Sequence, residues 1–193
     1  MLRPPSSLVL AALAWLAFAV CAEAQADQRA GLTLGGAVRA TSLRGEGTVM
    51  TGGTVLLHPL ARLSVGAGGW FVPGVRRIDP DSPGGGLRLR VSYGGLVTGV
   101  DLGHLGPLAI GVRVLWGGGT ARIELPVEET EIAADNFLVI EPEAGASVRL
   151  VSRLDARLSG GYRAVSGVED VSSVTGGQLR GAFAALGLAF RPW

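Results

Sequence analysis

After Ala24 the hydrophobic positions of the chain recur every second residue, not every third or fourth. Leu108, Ile110, Val112, Val114 and Trp116 alternate with Ala109, Gly111, Arg113 and Leu115. Leu138, Ile140, Ala144, Ala146, Val148 and Leu150 alternate with Val139, Glu141, Glu143, Gly145, Ser147 and Arg149. Leu154, Ala156, Leu158 and Tyr162 alternate with Asp155, Arg157, Ser159 and Arg163, and Leu87, Leu89, Val91 and Tyr93 with Arg88, Arg90 and Ser92. Successive strand side chains point to opposite faces, so each stretch reads as a strand with one apolar face and one face of small and charged residues. The pattern predicts eight strands, at residues 31–42, 47–57, 60–72, 86–102, 107–124, 137–150, 154–166 and 178–191.

The predicted connections alternate in length. Those after the second, fourth and sixth strands are tight: His58-Pro59, Gly103 to Gly106, and Val151-Ser152-Arg153. Those after the third, fifth and seventh are long and polar: Pro73 to Gly85, Leu125 to Asn136 and Gly167 to Gly177. Leu43 to Glu46 is short but belongs to the long-loop rim by parity. Short turns on one rim and long loops on the other are the layout of a membrane barrel. An open sheet in lipid leaves edge N–H and C=O groups unpaired, so the ribbon must close. The expected fold is therefore an all-β, eight-stranded antiparallel up-and-down transmembrane barrel spanning residues 25–193, with both termini on the periplasmic side and the long loops outside. The alternation slips phase at Gly94-Gly95, which reads as a β-bulge. Pro142 cannot donate to a ladder, and reads as a bulge near the outer rim or the point where its strand leaves the sheet.

Composition sharpens this picture. Apolar residues make up 48% of the chain and charged residues 17%, which excludes a disordered polymer. Glycine fills 31 of 193 positions, with pairs recurring in most predicted strands, where curvature is tight or the interior crowded. All basic residues are Arg, and the net charge of +1 offers no footprint for nucleic acid. The single Cys excludes a disulfide or zinc framework. After Ala24 no stretch reaches the roughly 18 uncharged apolar residues a membrane-spanning helix needs. Met1 to Ala24 reads as a cleaved signal peptide: Arg3 is the positive start, Leu8 to Val20 the apolar core, and Ala22-Glu23-Ala24 the cleavage site, with Ala24-Gln25-Ala26 as the alternative.

Charge on the inner face carries the candidate chemistry. Treating Val151-Ser152-Arg153 as a three-residue turn places Glu141 opposite Arg163, Arg149 opposite Asp155 and Arg157 opposite Ser147. Arg113 can approach Glu143 from the strand on the other side. Glu141, Glu143, Arg163, Arg149, Asp155, Arg157 and Arg113 thus form a candidate ion-pair network in the lumen. It acts either as a structural plug or as a polar lining that binds or conducts small molecules or ions. A third possibility is a secreted soluble barrel of the lipocalin type, with apolar residues inside and polar ones outside. Enzyme sites are not expected. The only histidines, His58 and His104, fall in tight turns, away from where a lipid-hydrolysing triad would sit. Glu141 and Glu143 lie two apart on one strand and cannot flank a sugar from both sides. The acidic run Glu128, Glu129, Glu131 and Asp135 lacks calcium-loop spacing and reads as a solvated loop, and no cofactor motif is present.

Phe137-Leu138-Val139-Ile140-Glu141-Pro142-Glu143, followed by Gly161-Tyr162-Arg163 and Gly167-Val168, resembles a family of small, functionally uncharacterised outer-membrane β-barrel proteins. In that family an acidic-Pro-acidic strand precedes a Tyr-Arg strand and a short last strand. Gly68-Gly69-Trp70-Phe71, Tyr93-Gly94-Gly95-Leu96 and Trp116 to Gly119 match earlier in the chain. The architecture is similar to OmpA- and OmpX-type barrels. The resemblance implies fold and place, not a reaction. As partners it implies outer-membrane lipid, lipopolysaccharide and the assembly machinery, although Arg191-Pro192-Trp193 departs from a strictly aromatic last residue.

Overall fold

The structure, a computed structural model, describes residues 31–43, 45–73, 76–77, 88–124, 131–167 and 176–192. The signal segment Met1 to Ala24, the loop acids Glu128 and Glu129, and Trp193 lie outside the described residues. The strands are β1 (Gly31–Leu43), β2 (Glu46–Leu60), β3 (Leu63–Phe71), the two-residue β4 (Arg76–Arg77), β5 (Arg88–Leu105), β6 (Leu108–Glu124), β7 (Glu131–Val151), β8 (Leu154–Ser166) and β9 (Gly181–Phe190). A single helical turn, α1 (Gly176–Leu179), precedes β9. Sheet order is β3-β2-β1-β9-β8-β7-β6-β5-β4, and β3 also pairs with β5. The eight long strands therefore form a closed antiparallel ring, with β4 lying alongside β5 at the rim.

The registers set the geometry of the ring. From Thr41 the rungs run to Phe183, Gly161, Glu143, Arg113, Gly99 and Ser64. Ser64 lies one step past the Val65↔Leu57 rung, level with His58, which pairs with Gly31. One circuit therefore returns to β1 ten residues from its start, at Gly31 instead of Thr41. For eight strands this stagger gives a tilt of about 40° and an interior that side chains can fill.

Polarity across the wall identifies the solvent. Leu34, Val38, Val55, Leu96, Trp116, Ile140, Leu158 and Leu186 point outward and are exposed, while Arg39, Glu141, Asp155, Ser159 and Arg163 point inward and are buried. A water-soluble, lipocalin-like barrel requires the reverse. This wall is built to contact hydrocarbon. The polarity inverts on the loop end of the β5–β6 hairpin. There Val91 and Tyr93 point inward and are buried, while Arg90, Ser92 and Arg122 are exposed. The apolar set that begins at Val91 thus packs the lumen instead of facing lipid, which corrects the expectation of an apolar outer face along that whole strand.

Several local expectations change. Gly94-Gly95 is not a bulge. Gly69↔Gly94↔Gly118 and Gly68↔Gly95↔Gly117 are regular rungs, and the β5 irregularity lies at Asp101–Gly103. A Cβ on Gly95 would run into the Trp116 carbonyl of one neighbouring strand, and a Cβ on Gly94 would lie 2.9 Å from the Gly68 carbonyl of the other. At Pro142 the pairing with β8 lapses between Ile140↔Ala164 and Glu143↔Gly161, yet the register is the same on both sides. The missing N–H opens a gap in mid-strand, with no bulge. His58-Pro59 lies inside β2, and the turn falls at Ala61-Arg62, with the ladder irregular between Leu57 and Leu60 around the proline. The next hairpin turns at Gly106-Pro107, where Gly106 takes φ 59°, a left-handed conformation that side-chain-bearing residues avoid. Glu131 to Asn136 extend β7 against β6 and are not loop, and Gly176–Leu179 form α1, so the last strand starts at Gly181.

Candidate functional site

Arg39, Arg113, Glu141, Glu143, Asp155, Arg157 and Arg163 sit on strands whose period-two pattern turns them inward, and the stagger of the ring decides which of them meet. The central contact crosses the barrel. Arg39 of β1 donates from Nη1 to both oxygens of Glu141 of β7, at 2.9 and 2.7 Å. Both side chains are 1% exposed. The Arg39 guanidinium lies between two rings, 3.7 Å from the centroid of Trp70 and 3.6 Å from that of Phe183. Desolvated cation–π contacts of this kind contribute up to about 2 kcal/mol. Tyr93 completes the centre. Its hydroxyl accepts from Arg39 Nη1 at 2.8 Å and donates to Glu141 Oε1 at 2.7 Å.

Above this centre, toward the loop rim, Arg163 faces away from the carboxylates. Its Nε donates to the Leu179 carbonyl of α1 at 2.6 Å, and its Nη2 to the Ser42 carbonyl beside the β1–β2 turn at 3.2 Å. Nη1 lies 3.4 Å from the Tyr93 hydroxyl. Arg163 thus ties α1 to the first hairpin, and Leu179 drops into an apolar cluster with Leu43, Val91, Phe137 and Val165. The lumen is closed at that end by packed hydrocarbon resting on a buried charge layer.

Below the centre, toward the short turns, Arg157 donates to Glu143 Oε1 at 3.1 Å from Nη2 and 3.3 Å from Nε. Arg39 Nη2 lies 3.7 Å from Glu143 Oε2. Nearer the turn rim, Asp155 is held by Arg191 at 2.5 Å and more loosely by Arg149 at 3.5 Å. His58 Nε2 and Thr33 Oγ1 are 2.9 Å apart, and His104 is exposed.

Of the residues singled out from the sequence, Glu143–Arg157 and Arg149–Asp155 meet, and Arg113 stands opposite Glu143 in the ladder. Glu141 and Arg163 occupy facing positions but make no ion pair with each other. Glu141 turns to Arg39, while Arg163 is satisfied by carbonyls and by the Tyr93 hydroxyl. Sequence reasoning missed Arg39, Tyr93, Trp70, Phe183 and Arg191. The available signal was an inward-parity Arg in mid-strand at position 39, which in a filled lumen demands a carboxylate.

Gly52 makes room for the stacked arrangement. It faces Trp70 across a rung, and a Cβ there would overlap the indole ring. Gly52→Ala is expected to cost about 1–3 kcal/mol through overpacking. Gly36→Ala, whose Cβ meets nothing within 4 Å, is expected to be close to neutral. Urea unfolding of the two refolded variants in lipid vesicles checks the contrast.

No protein-family model matches the sequence, and no curated protein matches it either. Solved structures do. Neisserial surface protein A is similar with a TM-score of 0.57 at 10% identity, over 83% of this chain and 96% of that one. The N-terminal β-barrel domain of Pseudomonas aeruginosa OprF is similar with a TM-score of 0.52 at 12% identity, over 84% and 99%. A major outer membrane protein of Thermus thermophilus has a TM-score of 0.51 at 17% identity, over 83% and 99%. What they share with this chain is the eight-stranded outer-membrane barrel fold.

Proposed function

We propose that this chain is a non-enzymatic outer-membrane barrel whose lumen is a structural plug and whose long-loop rim is the working surface. The observation that carries the reading is the complete burial of the Arg39–Glu141 pair beneath the apolar cluster that includes Leu179. Among the described residues that arrangement sets packed apolar side chains and a buried ion pair across the lumen. Interaction then falls to the outside of the molecule. The wide connections all lie on one rim, between Phe71 and Arg88, Glu124 and Glu131, and Ser166 and Gly181. The surface role in the name of the neisserial barrel accords with this assignment.

In this reading Met1 to Ala24 directs export and is removed, and both ends of the mature chain lie in the periplasm. The loops face outward among lipopolysaccharide, where they serve adhesion, envelope integrity or partner binding. Leu186, Leu188 and Phe190 alternate on the outer face of β9, the pattern expected of an assembly signal. Planar-bilayer recording of the refolded chain tests the plug. The expected result is no steady current at any holding potential. A steady, ion-selective conductance in the unmodified protein would refute the reading.

A further inference from the structure

The short-turn half of the lumen holds a cavity of about 60 Å³. Three guanidiniums line it, those of Arg39, Arg113 and Arg157, against two carboxylates, those of Glu141 and Glu143. The carboxylates are engaged: Glu141 takes Arg39 and Glu143 takes Arg157. One cation remains. Arg113 stands opposite Glu143 in the ladder, but the hydrogen bonds to Glu143 come from Arg157. Asp101, the other acid within electrostatic reach of Arg113, lies on the exposed turn side. A second donor is unused as well: Arg39 Nε is buried without a hydrogen-bond partner. A guanidinium nitrogen left unpaired in a dry interior is costly, and so is an uncompensated buried charge.

The cavity has the form of a built site. Gly99 clears the path of the Arg113 stem, since a Cβ there would lie 2.8 Å from Arg113 Cγ. Gly145 does the same for Arg157, whose Nη2 lies 3.0 Å from the position of a Cβ. The Thr33, Thr54 and Ser159 side chains add hydroxyls to the lining. Solvent reaches this layer from the turn rim: the Arg157 and Glu143 side chains are 12% and 16% exposed, against 1% for Arg39 and Glu141.

We infer that this cavity binds one small tetrahedral oxyanion, phosphate or sulfate, with Arg113 as its principal ligand and Arg39 Nε and Arg157 as further donors. The planar guanidinium fork matches two oxygens of such an anion. The space admits a five-atom anion in place of a few waters. The inference stands apart from the role of the loops, because it concerns only the lumen below the sealed centre.

Calorimetric titration of the refolded chain in detergent micelles with sodium phosphate, against sodium chloride at equal ionic strength, tests it. The expected result is saturable phosphate binding that Arg113→Gln weakens about tenfold or more. Arg153→Gln, on the exposed turn, is expected to leave it unchanged. Should the Arg113→Gln protein fail to give the compact, heat-sensitive gel band of the folded barrel, Arg113→Lys takes its place. Lys keeps the charge but lacks the fork, and the same direction is expected. Phosphate heats no larger than those of chloride would overturn the inference, as would undiminished binding in the folded Arg113 variant. Glycerol phosphate, standing for a lipid headgroup, is expected to bind more weakly than inorganic phosphate, all of whose oxygens are free to meet the guanidiniums; equal or tighter binding overturns the assignment to the free anion.

Discussion

Glu141→Ala is expected to destabilise the folded barrel by about 3–5 kcal/mol, the usual cost of removing one partner from a buried ion pair. The carboxylate accepts from Arg39 Nη1 and from the Tyr93 hydroxyl, so its loss strands a guanidinium that is 1% exposed and a phenol at the same time. Arg39 cannot turn to water for compensation, because Trp70 and Phe183 cover its two faces. Glu143 offers it only a 3.7 Å contact and is already held by Arg157. The double variant Arg39→Met with Glu141→Leu is expected to recover most of the loss, since a well-packed apolar pair of similar volume is often neutral relative to a buried ion pair. Equilibrium urea unfolding in vesicles, followed by tryptophan fluorescence, measures both. A single variant within about 0.5 kcal/mol of the parent would show that the pair contributes no more than a surface contact.

Leu158→Arg is expected to cost about 2–4 kcal/mol, the range for an Arg on the lipid face of a barrel well inside the apolar belt. Leu158 is 64% exposed. Were water the solvent at that face, the same substitution would fall within about 0.5 kcal/mol of neutral. The neighbouring residue on β8, Arg157, points inward and is paired with Glu143, so adjacent positions on one strand separate the two solvents. The measurement is the unfolding midpoint of the variant in vesicles, and an unchanged midpoint contradicts a lipid-facing wall.

Alternation made the strands legible. Leu154 to Tyr162 shows a switch of apolar and polar character, and β8 begins where that pattern does and continues to Ser166. The start of β7 was not legible, because Glu131 and Asp135 look like loop acids, while ladder pairing with β6 continues past the belt of apolar side chains. Gly94-Gly95 misled for a related reason: the apolar set moves from the outer face to the lumen along one strand with no change in backbone phase. The candidate site was legible only as far as neighbouring strands. Counting from a turn gives the residue opposite, which located Arg149 against Asp155. It says nothing about contacts across the lumen, where Arg39 and Glu141 meet 102 residues apart. Nor does it say which way a long side chain leans. Arg163 leans to the carbonyls of Leu179 and Ser42 and makes no ion pair among the described residues.

The position of Arg39 beside the seam of the ring bears on how the molecule is made. Its guanidinium rests on Phe183 of β9 and reaches Glu141 of β7, so neither contact exists until the first strand has zipped onto the last. A nascent barrel with an open seam carries this cation without a partner, and non-local pairings of such long range form late. The interior electrostatics therefore favour the observed register at the closing seam. A shift of one residue at the β1–β9 junction would send Arg39 into the bilayer, so mis-registered cylinders are disfavoured.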